Sequence, residues 1–313
     1  MLSEKPWKSE AILRLGLSLF ICQFLGALAL AVARFFSSGP RPNVATFCAM
    51  AIGSLAACGV VLFLIRKPWD EVGFTRRAMY LIGLIYVGLI LGAFVAHFAG
   101  SAAADPTAVR TVVAALSFQG ATLVLVHRLL REHELGWMAG FGLSENLARA
   151  VIYGGLAACA FLPMGQVLQM VSAEILTRLH VSFQSQAAVE ALKNSVAWYD
   201  RTAMGVMAIG LAPVAEELLF RGLLYPAVKA VGFPRLALWG TSLFFALIHF
   251  NLATFLPLLL LALVLTWLYE QTGNLLAPIV AHATFNALQF AIFYLLPVVA
   301  KSPEFLRRLG GCG

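Results

Sequence analysis

Three ionisable residues stand within six positions of one apolar run. They are Glu216, Glu217 and Arg221, in the string Ala212-Pro-Val-Ala-Glu-Glu-Leu-Leu-Phe-Arg-Gly222. A charge at the centre of a bilayer costs about 2.5–3.5 kcal/mol on insertion scales, so each of these needs a partner or a purpose. Adjacent residues of a helix point about 100° apart, so the two glutamates cannot both face one cavity squarely. Glu217 and Arg221 are four apart with the acid first, the favourable order for an ion pair, and that pairing leaves Glu216 free to face elsewhere. Two later apolar runs carry more polar groups. His249 closes the run that begins at Phe245, and His282 and Asn286, four apart, share one helix face. A glutamate, a histidine and a histidine with an asparagine can together perform proton-transfer chemistry. The carboxylate acts as general base, one histidine shares the proton of the attacking water, and the second histidine and the amide donate to an oxyanion.

Each residue also has a plainer role. A single histidine or asparagine inside a membrane commonly hydrogen-bonds between helices, and a Glu–Arg pair can simply hold two helices together. Gln23, His97, Gln119, Gln166 and Gln169 are read in that way. The remaining set differs because it is concentrated in the C-terminal third.

The elements that must position these groups follow from composition. The chain has 313 residues, of which 61% are hydrophobic and 12% charged, with a mean hydropathy of +0.86. Soluble domains carry about 25% charged residues, so this is an integral membrane protein. Its apolar runs are about 20 residues long and do not alternate, which excludes a β-barrel and predicts an all-α, polytopic transmembrane bundle of about 8–9 spans around a polar intramembrane cavity. The expected spans are 11–36, 44–65, 79–98, 109–130, 150–170, 203–228, 235–250, 252–269 and 275–299. The polar stretch 172–202 is expected to form amphipathic helices at the outer interface.

The net charge of +7 resides in short loops beside the apolar runs, and this excludes a nucleic-acid partner. Arg66, Lys67, Arg76 and Arg77 form the strongest positive cluster and put that loop, with the N-terminus, in the cytoplasm. The loops at Trp69 with Gly73-Phe74 and at Trp137 with Gly140-Phe141 look alike, a weak trace of duplication. The apolar run behind Lys5, Lys8 and Arg14 is longer than a signal-peptide core and reads as a retained span. The five cysteines have no metal-ligand spacing.

EELLFR, the FxxxH of Phe245 to His249 and the HxxxN of His282 to Asn286 occur in that order. With Gly273, Ala277-Pro278 and Ala281-His282-Ala283 between them, they resemble the CPBP family of CAAX-protease and bacteriocin-processing (Abi) intramembrane proteases. The resemblance covers about 204–296. It implies peptide-bond hydrolysis inside the membrane, acting on a peptide or membrane-associated protein substrate. Glu216 and His249 would activate water, His282 and Asn286 would form the oxyanion hole, and Glu217 and Arg221 would support the site. It implies a metal-free, glutamic-type mechanism; the alternative is a zinc enzyme with Glu216, His249 and His282 as ligands, although HExxH is absent. The organisation expected is 1–202 as N-terminal helices with the interfacial segment, 203–300 as catalytic core and 301–313 as tail. A proton-coupled transporter would show polar breaks in both halves, and an inactive scaffold or immunity protein would not need every motif position filled.

Overall fold

The computed structural model describes residues 5–36, 115–181 and 198–300, and every described element is helical. The expected spans 44–65 and 79–98, most of the interfacial stretch and the tail lie outside the described residues. The chain divides into two compact units. In the unit formed by residues 7–132, helix α1 (Ser9–Phe36) packs on α2 (Ala121–Glu132), which follows a short π-helical turn, π1 (Leu116–Gly120). Arg14 Nη2 donates to Glu132 Oε2 at 3.0 Å across that pair.

The second unit holds the C-terminal helices. A short α3 (Trp137–Phe141) leads into α4 (Leu147–Arg178). One continuous helical rod follows, built of α5 (Trp198–Val206), π2 (Met207–Leu211), α6 (Ala212–Glu217), π3 (Leu218–Leu224) and α7 (Tyr225–Ala230). Then come α8 (Pro234–Leu247), α9 (Leu252–Thr272) and α10 (Leu276–Ala300). Among the described residues three stretches are long and apolar enough to cross a membrane: Leu147–Arg178, Arg201–Ala230 and Leu252–Thr272. Their outer faces carry exposed apolar side chains such as Ile152, Leu156, Val167, Leu252 and Trp267, the surface that meets lipid. At the start of this unit Lys5 Nζ donates to Gly140 O at 3.0 Å. Burial holds that ammonium below its ordinary pKa, against the pull of Glu145.

Local sequence explains the helix ends. Pro234 opens α8 at a position where a missing N–H costs nothing. Asn251 caps α9, its side chain accepting from Thr254 N at 3.1 Å. Gly273 ends α9 at φ 65°, the left-handed conformation that a helix C-terminus favours. Asn274 starts α10 by accepting from Leu276 N at 2.8 Å. The fifth expected span ends at 170, yet α4 runs on to Arg178. Its extra turns are helical despite their polarity, and Arg178 Nε pairs with Glu174 four residues back at 2.7 Å.

Proline explains the two π segments of the rod. Each segment stops just short of one. Ala212 N–H donates to Met207 O, five residues back, and Pro213 follows. Tyr225 N–H donates to Phe220 O, also five back, and Pro226 follows. A proline inside a helix has no N–H and crowds the preceding turn, and a widened turn accommodates that crowding.

The core of the unit lies between α4, α9 and α10. Ala150, Ala158 and Phe161 of α4 meet Leu261, Leu265 and Leu268 of α9 and Ala277, Ala281 and Phe285 of α10. Between lipid-immersed helices the drive is close packing, and small residues at four-residue spacing permit it. Ala150, Gly154 and Ala158 form such a stripe on α4. A Cβ on Gly154 would stand 2.6 Å from Ala277 O, so the backbones touch there. Gly154→Ala is therefore expected to force α4 and α10 apart at a cost of about 1–3 kcal/mol, read as a lowered midpoint of thermal unfolding in detergent. Gly155→Ala, where the same atom meets nothing within 4 Å, serves as the neutral control.

Candidate active site

The rod presents Glu216 and Glu217 between the two π segments and Arg221 within the second. Glu217 is fully buried and Arg221 is 1% exposed. Arg221 Nη1 donates to Glu217 Oε1 at 2.9 Å, the four-residue pair anticipated from their spacing. The guanidinium is held on its other edges by α9. Nη2 donates to Ala262 O at 2.9 Å, and Nε points at Thr266 Oγ1 at 3.4 Å. Thr266 itself donates to Ala262 O at 2.9 Å, so one turn of α9 forms a receptor for the arginine fork. Nothing in the motif strings marks Thr266. Its only signal is a hydroxyl set in the otherwise apolar middle of α9.

Glu217 does more than hold Arg221. His282 Nδ1 lies 2.9 Å from the same Glu217 Oε1, and His282 is 3% exposed. The other ring nitrogen, Nε2, lies 3.9 Å from Glu216 Oε2. That oxygen is buried and has no hydrogen-bond partner in the structure. The groups that act electrostatically on Glu216 are His282, His249, Glu217 and Arg221. The adjacent glutamates do diverge, but both reach His282, one on each side of the ring.

His249 stands just past the end of α8, which stops at Leu247 instead of running through 250. Its Nδ1 lies 2.7 Å from Phe245 O. A carbonyl only accepts, so Nδ1 carries the hydrogen and neutral His249 offers Nε2 as a proton acceptor. The next residue, Phe250, has φ 48°, a left-handed conformation uncommon for a bulky residue, which turns the chain sharply into α9.

Phe245 joins these parts. It is fully buried. Its ring centroid lies 4.9 Å from that of His249 and 5.8 Å from that of His282, the latter edge-on. The Arg221 guanidinium sits 4.8 Å above it, a cation–π contact, and Phe220 packs edge-on at 5.2 Å. Sequence reading used Phe245 only to locate His249. It is also the wedge that spaces the two histidines.

Asn286 is placed one turn beyond His282, on α10. Its Nδ2 donates to Ala208 O at 2.9 Å. The rod explains this bond. Ala212 N–H reaches back to Met207, so the next donor in that register is residue 213. Residue 213 is proline and has no N–H to give to Ala208. The amide of Asn286 supplies what Pro213 withholds, and its second N–H is not needed for that bond. An open groove of about 570 Å³ runs beside this point, lined by Gly205, Ile209 and Phe290 among others. Gln166 donates to Gln289 between α4 and α10, a helix-packing bond of the kind expected for it.

The structure thus brings Glu216, Glu217, Arg221 and His282 into one buried cluster. It sets His249 against them across Phe245 and directs Asn286 to the carbonyl freed by Pro213. Among the described residues no three His, Cys, Asp or Glu side chains stand together as a metal-holding group.

These features define a helical integral membrane protein with a buried cluster of ionisable side chains between its rod and α10. Residues 198–288 match the family model described as Rce1-like, type II CAAX prenyl endopeptidase, and the matched segment contains the four clustered residues together with His249 and Asn286. The resemblance drawn from the three motifs holds over this segment. UPF0177 protein YxdF of Lactococcus lactis subsp. lactis (strain IL1403) is 28% identical over 92 residues, 29% of this chain and 50% of that protein. YpbD of Bacillus subtilis (strain 168), described as an uncharacterized protein, is 35% identical over 82 residues, 25% of this chain and 39% of that protein. The chain therefore spans half the length or less of these curated relatives. No solved structure matches it at a significant level.

Proposed function

We propose that this protein is an intramembrane endopeptidase of the CAAX-protease type that hydrolyses a peptide bond with a glutamate-activated water. The observation that carries the reading is the buried, unpartnered Glu216 Oε2 at 3.9 Å from His282 Nε2, inside the segment that matches the endopeptidase family. A desolvated carboxylate without a hydrogen-bond partner is suited to take a proton from water. In this reading Glu216 and His249 Nε2 share that proton while the hydroxide attacks the scissile carbonyl. Asn286, through its second N–H, and His282 stabilise the oxyanion. The proton then passes to the leaving amine. Glu217 and Arg221 hold the cluster in place. No step needs a metal, and the donor arrangement favours the metal-free form. The substrate is a peptide segment of a membrane-associated protein, reached from the bilayer. The basic residues Lys5, Lys8 and Arg14 favour a cytoplasmic N-terminus.

The test is cleavage of a panel of peptides, prenylated and not, by the purified protein in detergent. Wild type should cut at least one of them, and a chelator should leave the rate unchanged. His249→Ala should lower the rate by about 10²–10⁴-fold, the range of a lost acid–base group. Cleavage by His249→Ala at the wild-type rate would sink the proposal. Activity lost to chelator and restored by zinc would overturn the metal-free mechanism.

A further inference from the structure

We propose that Glu217 is the positioning residue that sets the tautomer of His282, so that neutral His282 presents a bare Nε2 to Glu216 and becomes a donor to the oxyanion only after taking up a proton there. The inference rests on the proteolytic reading of the site and assigns Glu217 a task beyond bracing Arg221.

The argument uses only donors and acceptors. Glu217 Oε1 accepts from Arg221 Nη1, and a guanidinium has nothing but donors. A carboxylate paired with a guanidinium only accepts, so the second group at that oxygen, His282 Nδ1 at 2.9 Å, must be an N–H. A neutral imidazole with its hydrogen on Nδ1 carries a lone pair on Nε2. That lone pair lies 3.9 Å from Glu216 Oε2, and two acceptors facing one another repel unless a proton lies between them. The ring is held against exchange of its nitrogens, because Arg221 is fixed by Ala262 and Thr266 and His282 packs at a steep angle against the ring of Phe245. His282 thus stands between two carboxylates as histidine stands between aspartate and nucleophile in hydrolytic triads, with Glu217 in the aspartate's place. The proton balance is simple. The proton that water gives up between Glu216 and His249 is relayed by Glu216 to His282 Nε2, the imidazolium donates that N–H to the developing oxyanion, and the same proton leaves with the amine product. Nothing is oxidised or reduced.

The experiment reads the tautomer directly. The protein is labelled with ¹⁵N-histidine and studied in detergent, with the His282 signals identified by their loss in His282→Gln. In wild type, neutral His282 is expected with its hydrogen on Nδ1. Two double variants separate positioning from bracing, because each removes the ion pair without stranding a charge. Glu217→Leu with Arg221→Met deletes the acceptor, and the hydrogen of His282 should move to Nε2. Glu217→Gln with Arg221→Met keeps a neutral acceptor, and the hydrogen should stay on Nδ1. Loss of the correct tautomer in a hydrolytic triad costs about 10⁴-fold in kcat. Here kcat should fall at least about 10²-fold in the leucine double variant at little changed KM, and the glutamine double variant should recover most of it. A purely structural role predicts equal behaviour of the two, and that result overturns the proposal. A wild-type His282 with its hydrogen on Nε2 overturns it without any variant. If wild type cleaves no peptide but the tautomer moves as described, the assignment of Glu217 stands and the proteolytic reading falls.

Discussion

Glu216→Gln is expected to abolish peptide cleavage while leaving the fold intact. The loss should be about 10²–10⁴-fold in kcat, the contribution of a general base, with KM little changed. The fold should survive because Glu216 Oε2 makes no hydrogen bond that the amide would break, so no buried partner is left stranded. This contrast separates Glu216 from its neighbour. The two residues are the same type and adjacent in sequence, and Oε2 of each is buried without a partner, yet Glu217 carries two bonds through Oε1 that Glu216 has no counterpart for. Turnover at matched substrate, beside thermal unfolding of both proteins in the same detergent, checks it. A Glu216→Gln protein that cleaves at the wild-type rate removes Glu216 from the chemistry.

The second large effect is on stability. Arg221→Met removes the guanidinium and leaves Glu217 fully buried with its countercharge gone. Breaking a buried pair from one side typically costs about 3–5 kcal/mol. A comparable loss is expected here, seen as a large drop in the unfolding midpoint. Replacing both partners with apolar groups of similar volume, Glu217→Leu with Arg221→Met, should recover most of that loss, since a buried pair is often no more stabilising than good packing. A double variant as unstable as the single one would mean that the arginine's contacts to Ala262 and Thr266 matter more than its charge.

Local geometry was legible in the sequence where the partners lie on one helix. The four-residue spacing of Glu217 and Arg221 leads directly to their 2.9 Å contact. Pro234, Asn251 and Gly273 mark real helix ends because capping and ring constraints act within a turn. The contact between Glu217 and His282 spans 65 positions and leaves no periodic trace. For that reason Glu217 reads from sequence as a clamp alone. Asn286 reads as a free amide because its partner is a backbone carbonyl, and carbonyls have no letter in a sequence. The signal that would have found it is Pro213, whose missing N–H must orphan a carbonyl about one turn back. The end of α4 lies beyond the expected boundary for a related reason. The polarity that begins at Ser172 suggests a boundary, but polarity describes the surroundings of a helix and not its continuity, and the Glu174–Arg178 pair supports the extra turns.

The two widened turns of the rod act as phase setters. A π turn holds one residue more than the α-turn it replaces, so each works like an inserted letter in a reading frame. Every side chain beyond it is rotated by about 100° from where an unbroken α-helix would aim it. Glu216 and Glu217 lie downstream of the first shift and upstream of the second. Their aim at His282 is therefore written partly in Pro213 and in the length of the segment before it, residues that carry no chemistry of their own. A helix of the same composition with one residue fewer in Met207–Leu211 would keep both glutamates and point them at different neighbours.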